Sequence, residues 1–139
     1  MTKLLIDTNV ILDALTERDY DYKPSQDIIR CIANGTVKGY ITAKQITDIY
    51  YSLRKYVQTE EQRKAIIKTI LETFEVLPTM KSDIVYCLNS KIMDLEDALL
   101  DEICAVNCLN YLITNNAKDF KEGKSIIMTP SEALSLLVL

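Results

Sequence analysis

A chain of 139 residues, 48% hydrophobic and 26% charged, has the size and balance of one folded domain, with no room for a second. Three glycines and three prolines leave little for low-complexity segments. The longest apolar runs, such as Leu136–Leu139, fall far short of the roughly 20 residues a membrane helix needs. There is no histidine, which removes Ser-His-Asp and Cys-His catalysis and most transition-metal sites. A formal charge of −4 argues against a protein that coats nucleic acid through a basic surface, unless bound divalent cations reverse the local field.

No basic segment followed by an apolar stretch opens the chain, so no secretory leader and a cytoplasmic location are expected. Cys31, Cys87, Cys104 and Cys108 form no C-x-x-C pair and have no histidine to complete a zinc site. They read as buried, reduced thiols.

In chain order, Lys3-Leu4-Leu5-Ile6 is a short apolar run ending at Asp7 and predicts a buried strand. Asn9 to Leu15 predicts a helix with Ile11, Leu12 and Leu15 on its apolar side. Pro24 opens a second helix, on which Ile28, Ile29, Ile32 and Ala33 form one face, and Asn34-Gly35 ends it. Lys38–Ile41 predicts a second strand. Thr42 caps a helix with Ile46, Ile49, Tyr50 and Leu53 along its buried stripe. Thr59 with Gln62 three residues on marks a capping box for a helix reaching about Phe74. Glu75-Val76-Leu77 predicts a third strand, and Ser82 opens a further helix. Asp94 opens a longer one reaching about Cys108. Tyr111–Ile113 and Ser125–Ile127 predict strands four and five, and Thr129-Pro130-Ser131-Glu132 starts the last helix. Strands separated by helical stretches require crossover connections, so the expected fold is a three-layer α/β/α sandwich. Its sheet is mainly parallel, with about five strands.

Ligands of such sheets bind at the carboxyl ends of the strands. Asp7 follows the first strand, and Asn115, Asn116 and Asp119 follow the fourth. Asp48 lies about one turn into the helix after the second strand, and Asp97 in the first turn of the helix that starts near Asp94. Each acid also has a purely structural reading. Asp7 can cap the first helix, Asp94 and Asp97 can serve as a cap and a dipole-favoured acid, and Asp48 and Asp119 can be plainly solvated. Asp97 and Asp101 share a helix face as like charges, a repulsion that a bound cation would reverse. Arg54, Lys55, Arg63, Lys64 and Lys68 form the densest basic region, accompanied by Tyr50, Tyr51 and Tyr56.

Four segments together resemble one known family. Leu5-Ile6-Asp7-Thr8-Asn9-Val10-Ile11-Leu12-Asp13 is similar to the opening of PIN domains. Thr47-Asp48-Ile49-Tyr50-Tyr51, Asp94-Leu95-Glu96-Asp97-Ala98 and Ile113-Thr114-Asn115-Asn116-Ala117-Lys118-Asp119-Phe120 resemble, in order, the later motifs of one PIN subgroup. The Thr129–Glu132 stretch resembles its usual ending. The resemblance spans nearly the whole chain and implies a single PIN domain over 1–139, with endoribonuclease activity dependent on Mg²⁺ or Mn²⁺. It implies Asp7 and Asp97 as ligands of the principal ion. Asp48 and Asp119 would ligate through water or hold a second ion, and Asn9, Thr114 and Asn116 would support the carboxylates. Many small bacterial members are VapC-like toxins acting on RNA, inhibited by an antitoxin protein and often homodimeric. Asn115 stands where the subgroup commonly has arginine, and Asn116 where many members have aspartate. These two departures keep open a catalytically weak domain that binds RNA or a protein. A nuclease acting on structured DNA would use the same carboxylate chemistry. A receiver-like signalling domain, which also carries aspartates at strand ends, lacks its lysine partner and acidic pair here.

Overall fold

The apolar run that opens the chain becomes the middle strand of a five-stranded, all-parallel sheet in the computed structural model, which describes residues 1–137. Val138 and Leu139, the end of the Leu136–Leu139 run, lie outside the described residues. The strands are β1 (Lys3–Ile6), β2 (Lys38–Thr42), β3 (Glu75–Leu77), β4 (Tyr111–Ile113) and β5 (Ile127–Met128), in the order β3-β2-β1-β4-β5. The helices are α1 (Thr8–Thr16), α2 (Lys23–Ala33), α3 (Ala43–Leu53), α4 (Glu60–Thr73), α5 (Lys81–Cys87), α6 (Leu95–Val106) and α7 (Pro130–Leu137). A 3-10 turn covers Ala117–Phe120.

The two-residue period of a strand sorts the core into two layers. Leu4 and Ile6 of β1, Ile41 of β2 and Ile113 of β4 pack with buried residues of α1, α2, α3, α4 and α7. Leu5, Tyr40 and Leu112, paired across β1, β2 and β4, face the opposite way onto α5 and α6. The sandwich expected from the alternation of strands and helices is therefore present, with every strand pair parallel. From β1 the chain winds outward through β2 to β3, then returns to β4 on the other side. The winding reverses between β1 and β4, and the crevice at their carboxyl ends is where a doubly wound sheet receives ligands.

Several boundaries differ from the sequence expectation for identifiable reasons. The fifth strand begins at Ile127 because Ser125 is held elsewhere: its N–H donates to Asp101 Oδ1 at 2.8 Å and its hydroxyl to the Asp101 carbonyl at 3.1 Å. Helix α5 starts at Lys81, and its cap position is Met80, whose N–H donates to the Asp83 carboxylate at 2.9 Å; Ser82 lies inside the first turn. Thr59 does cap α4, accepting from the Gln62 N–H at 3.1 Å. Cys87 and Cys104 are buried and Cys31 is half-buried, as free thiols. Cys108, expected to be buried, is exposed beyond the end of α6, where φ of 54° turns the chain out of the helix.

Asp101 is only 3% exposed, and its carboxylate takes the Lys124 N–H at 3.0 Å as well as that of Ser125. A Cβ on Gly123 would stand 2.7 Å from Asp101 Oδ1, so any larger residue there would have to displace the buried carboxylate. Asp101→Ala would leave two part-buried amides without their charged acceptor. It is expected to lower stability by about 2–3 kcal/mol in chemical denaturation, and a loss under about 0.5 kcal/mol would refute this anchoring role.

Candidate active site

Asp7 continues β1 by one residue. Its N–H donates to the Ile113 carbonyl at 2.9 Å, which holds it at the carboxyl edge beside β4. It occupies the cap position of α1, yet its side chain makes no capping bond. Asp7 Oδ2 instead accepts from the Thr114 hydroxyl at 2.8 Å, and the residue is 8% exposed. Thr114 Oγ in turn accepts from the Asn116 N–H at 3.0 Å, with Asn9 Nδ2 at 3.5 Å. Asn9 Oδ1 accepts from the Asn115 N–H at 3.2 Å. Asn9 and Thr114 thus tie the start of α1 to the loop after β4 and leave Asp7 one defined orientation.

Asp97 arrives from the opposite layer. Asp94 caps α6, its Oδ1 accepting from the Asp97 N–H at 3.1 Å, so Asp94 keeps the structural role open to it. This leaves the Asp97 carboxylate free in the first turn, lining a crevice of about 310 Å³ together with Asp7, Thr8, Lys44, Asp48 and Glu96. Burial, and after it the charges of Asp94, Asp7, Asp119 and Glu96, push the Asp97 carboxyl up to about 7. Burial also raises Asp7, against the lowering effect of the Thr114 hydrogen bond, and Asp119 and Glu96 add to the rise. Asp119 sits in the 3-10 turn, where its N–H donates to the Asn116 carbonyl at 3.0 Å. It lines a second groove that adjoins the first at Asp97. Asn116 contributes its backbone to this arrangement, through the bonds to Thr114 and Asp119.

Asp48 lines the same crevice as Asp7 and Asp97, but its charge is partnered. Lys44 Nζ lies 2.8 Å from Asp48 Oδ2 and 2.6 Å from Glu96 Oε1. The sequence reading did not single out Lys44 or Glu96 as a pair, although the four-residue step from Lys44 to Asp48 is a recognisable helical ion-pair spacing. It also passed over Gln45, which is 2% exposed. The Gln45 carboxamide accepts from the Thr42 N–H at 2.8 Å and donates to the Ile6 carbonyl at 2.8 Å and the Thr8 hydroxyl at 3.2 Å. That one side chain locks the start of α3 to the end of β1 and sets Asp48 relative to Asp7. The T-x-x-Q spacing of Thr42 and Gln45 is the signal that would have found it.

Two sequence inferences take a different form here. Asp101 does not belong with Asp97 in a cation site, because backbone amides already occupy its carboxylate. The Asn115 side chain is engaged outside the crevice, donating to Asp13 Oδ2 at 2.7 Å and Ser25 Oγ at 3.2 Å; Asp13 also pairs with Arg18 at 2.5 Å.

Among the described residues no three Asp, Glu, Cys or His groups stand close enough to hold a metal ion by themselves. The donors at the edge are carboxylate oxygens, which suit the hard cations Mg²⁺ and Mn²⁺. Mg²⁺ usually takes only one or two carboxylates and completes its shell with water and phosphate. Asp7 and Asp97, which line one crevice, form an edge of that composition. The residues fit such an ion.

The chain is 28% identical over 137 residues to ribonuclease VapC1 of Aquifex aeolicus (strain VF5), covering 94% of this chain and 92% of that one. Its fold superposes on the crystal structure of VapBC2 from Rickettsia felis bound to a promoter DNA fragment, with a TM-score of 0.69 and 18% identity over 92% of this chain and 98% of that one. A toxin–antitoxin complex from Klebsiella pneumoniae gives a TM-score of 0.68 and 21% identity, covering 91% and 97%. The PIN-domain family model matches residues 3–118. With acids lining one crevice at the carboxyl edge of its sheet and that match spanning most of its length, this chain belongs to the PIN-domain family.

Proposed function

We propose that the protein is an endoribonuclease that hydrolyses phosphodiester bonds of single-stranded RNA with Mg²⁺ or Mn²⁺, as the toxin of a toxin–antitoxin pair. The observation that carries this reading is the meeting of Asp7 and Asp97, from opposite layers, in the wall of one crevice at the carboxyl edge of the sheet. Like charges held together in a half-buried crevice are unfavourable in the free protein, and a divalent cation relieves them. Asp7 and Asp97 would hold the principal ion, with Asp48 and Asp119 ligating through water or supporting a second. Once bound, such an ion supplies activation of a water nucleophile and neutralises charge on the transferring phosphoryl oxygens. Thr114 fixes the Asp7 carboxylate in place, and Asn9 fixes the loop that carries Thr114. Lys44 partly offsets the charge of Asp48 and Glu96, so the crevice is less repulsive to a phosphate than its acids alone would make it.

The partners of this function are an RNA substrate, an antitoxin protein and a second copy of the chain. Support for the antitoxin comes from the toxin–antitoxin complexes among the structures of like fold. No helix of the described residues is long and apolar enough to cross a membrane, which fits the proposed cytoplasmic location. Incubation of single-stranded RNA with the protein is expected to give cleavage in Mg²⁺ or Mn²⁺ that EDTA abolishes and added Mn²⁺ restores. Cleavage indifferent to EDTA would overturn the metal assignment, and faster cleavage of duplex DNA would overturn the substrate. A second reading, a catalytically weak domain that only binds RNA or protein, draws on the Lys44 ion pairs and the amide at Asn116. Persistent RNA binding without cleavage at saturating Mn²⁺ would favour it.

A further inference from the structure

Of the five basic residues densest in sequence, three are engaged within α3 and α4, while Lys55 and Lys68 are exposed but line neither the crevice nor the groove that holds Asp97. Arg63 Nη1 donates to the carbonyls of Val57 at 2.8 Å and Gln58 at 3.3 Å, closing the connection between α3 and α4. Lys64 pairs with Glu60 at 3.0 Å, and the Arg54 guanidinium lies 5.4 Å from the Tyr51 ring centre. On the other side of the acids, the groove of about 420 Å³ that adjoins the crevice at Asp97 carries Lys91, Lys118 and Lys121. All three are exposed and, among the described residues, none is in an ion pair. Lys118 lies in the 3-10 turn and Lys121 at its C-cap, three residues on, a spacing that stacks side chains on one side. Lys91 comes from the connection between α5 and α6 and so approaches from a different part of the chain. Met93, 98% exposed, stands in the same groove.

Four acids share this groove, but three have duties that remove them as obstacles. Asp94 caps α6, while Asp97 and Asp119 belong to the proposed cation site; Glu122 is the fourth. We infer that the groove of Lys91, Lys118 and Lys121 is the track along which single-stranded RNA runs away from the acids, its phosphates on the lysines and an unstacked base against Met93. This rests on the ribonuclease reading and adds to it the surface that holds the substrate. Phosphate affinity in an acidic protein needs locally unpaired cations, and a strand with splayed bases gains from an apolar side chain beside them.

The test measures binding of a hydrolysis-resistant phosphorothioate oligoribonucleotide by fluorescence anisotropy across a salt series in Mg²⁺. A triple variant, Lys91→Gln with Lys118→Gln and Lys121→Gln, is compared with a charge-matched control, Lys55→Gln with Lys64→Gln and Lys68→Gln. Thermal melts establish that both are folded. The slope of log affinity against log salt is expected to fall by about 2 in the groove variant, at about 0.7 for each phosphate contact on a single strand. The control should match wild type. An unchanged slope in the groove variant, or an equal loss in both variants, would overturn the inference, as would tighter binding of duplex than of single strand. The two readings separate cleanly. A reduced slope in a protein that never cleaves RNA keeps the groove and refutes the nuclease, and cleavage with an unchanged slope does the reverse.

Discussion

Asp7→Asn and Asp97→Asn are each expected to lower hydrolysis of single-stranded RNA by at least about a hundredfold while leaving the protein folded. Metal-centred stabilisation of a phosphoryl transition state is worth several kcal/mol, and about 3 kcal/mol already corresponds to two orders of magnitude in rate. Asparagine keeps the volume of aspartate and a carbonyl that can still accept the Thr114 hydroxyl, so Asp7→Asn removes charge without removing the hydrogen bond at 2.8 Å. Asp48→Asn should do less, because Lys44 already compensates Asp48 and would still have Glu96 at 2.6 Å. Initial rates at fixed Mn²⁺, with circular dichroism to confirm folding, decide the matter. Undiminished cleavage in a folded Asp7→Asn or Asp97→Asn variant would remove that residue from the proposed mechanism.

The second large effect concerns stability. The Asp97 carboxyl is pushed from its usual 3.8 up to about 7 in the folded protein, chiefly by burial and then by neighbouring acids. Between those values the folded chain holds a proton that the unfolded chain has released, so stability falls as pH rises through this window and then levels off. Asp7 is raised in the same sense and adds to the slope. The metal-free protein should therefore melt at a lower temperature at about pH 8 than at about pH 5, apart from the contributions of other groups. Asp97→Asn removes its share of that loss. In EDTA at about pH 8 the variant is expected to melt higher than wild type by roughly 3 °C, the shift of about 1 kcal/mol in a domain of this size. That modest figure allows for solvent screening at a partly exposed site. Saturating Mg²⁺ should raise the wild type more than the variant, since an ion bound only by the folded state stabilises it by mass action. A variant that melts no higher than wild type in EDTA would show that the acids at this edge do not strain one another. The trade is familiar for functional sites: charges useful to a ligand destabilise the empty fold.

Much of this architecture was legible in the residues. Alternation of short apolar strands with amphipathic helices led to the parallel three-layer fold, because crossover connections leave few other arrangements. Caps at Thr42, Thr59, Asp94 and Thr129 lie where the spacing placed them. Boundaries failed where a distant partner outbid the local pattern. Ser125 fits the strand pattern locally but is bonded to Asp101, 24 residues earlier. Cys108, expected to be buried, instead leaves the helix through a left-handed turn and is exposed.

What the residue order settled unaided was the set of strand ends and helix starts that carry acids, since hydrophobic period and capping chemistry are local and each segment states its own. What only the folded chain decided was how those acids are shared out. Asp7 turns from capping to Thr114, 107 residues away, Asp101 is absorbed by the amides of Lys124 and Ser125, and Lys44 joins Asp48 to Glu96, which lies 52 residues beyond the lysine. An aspartate has the same local options wherever it stands, and which one it takes depends on the groups that packing of remote segments sets beside it.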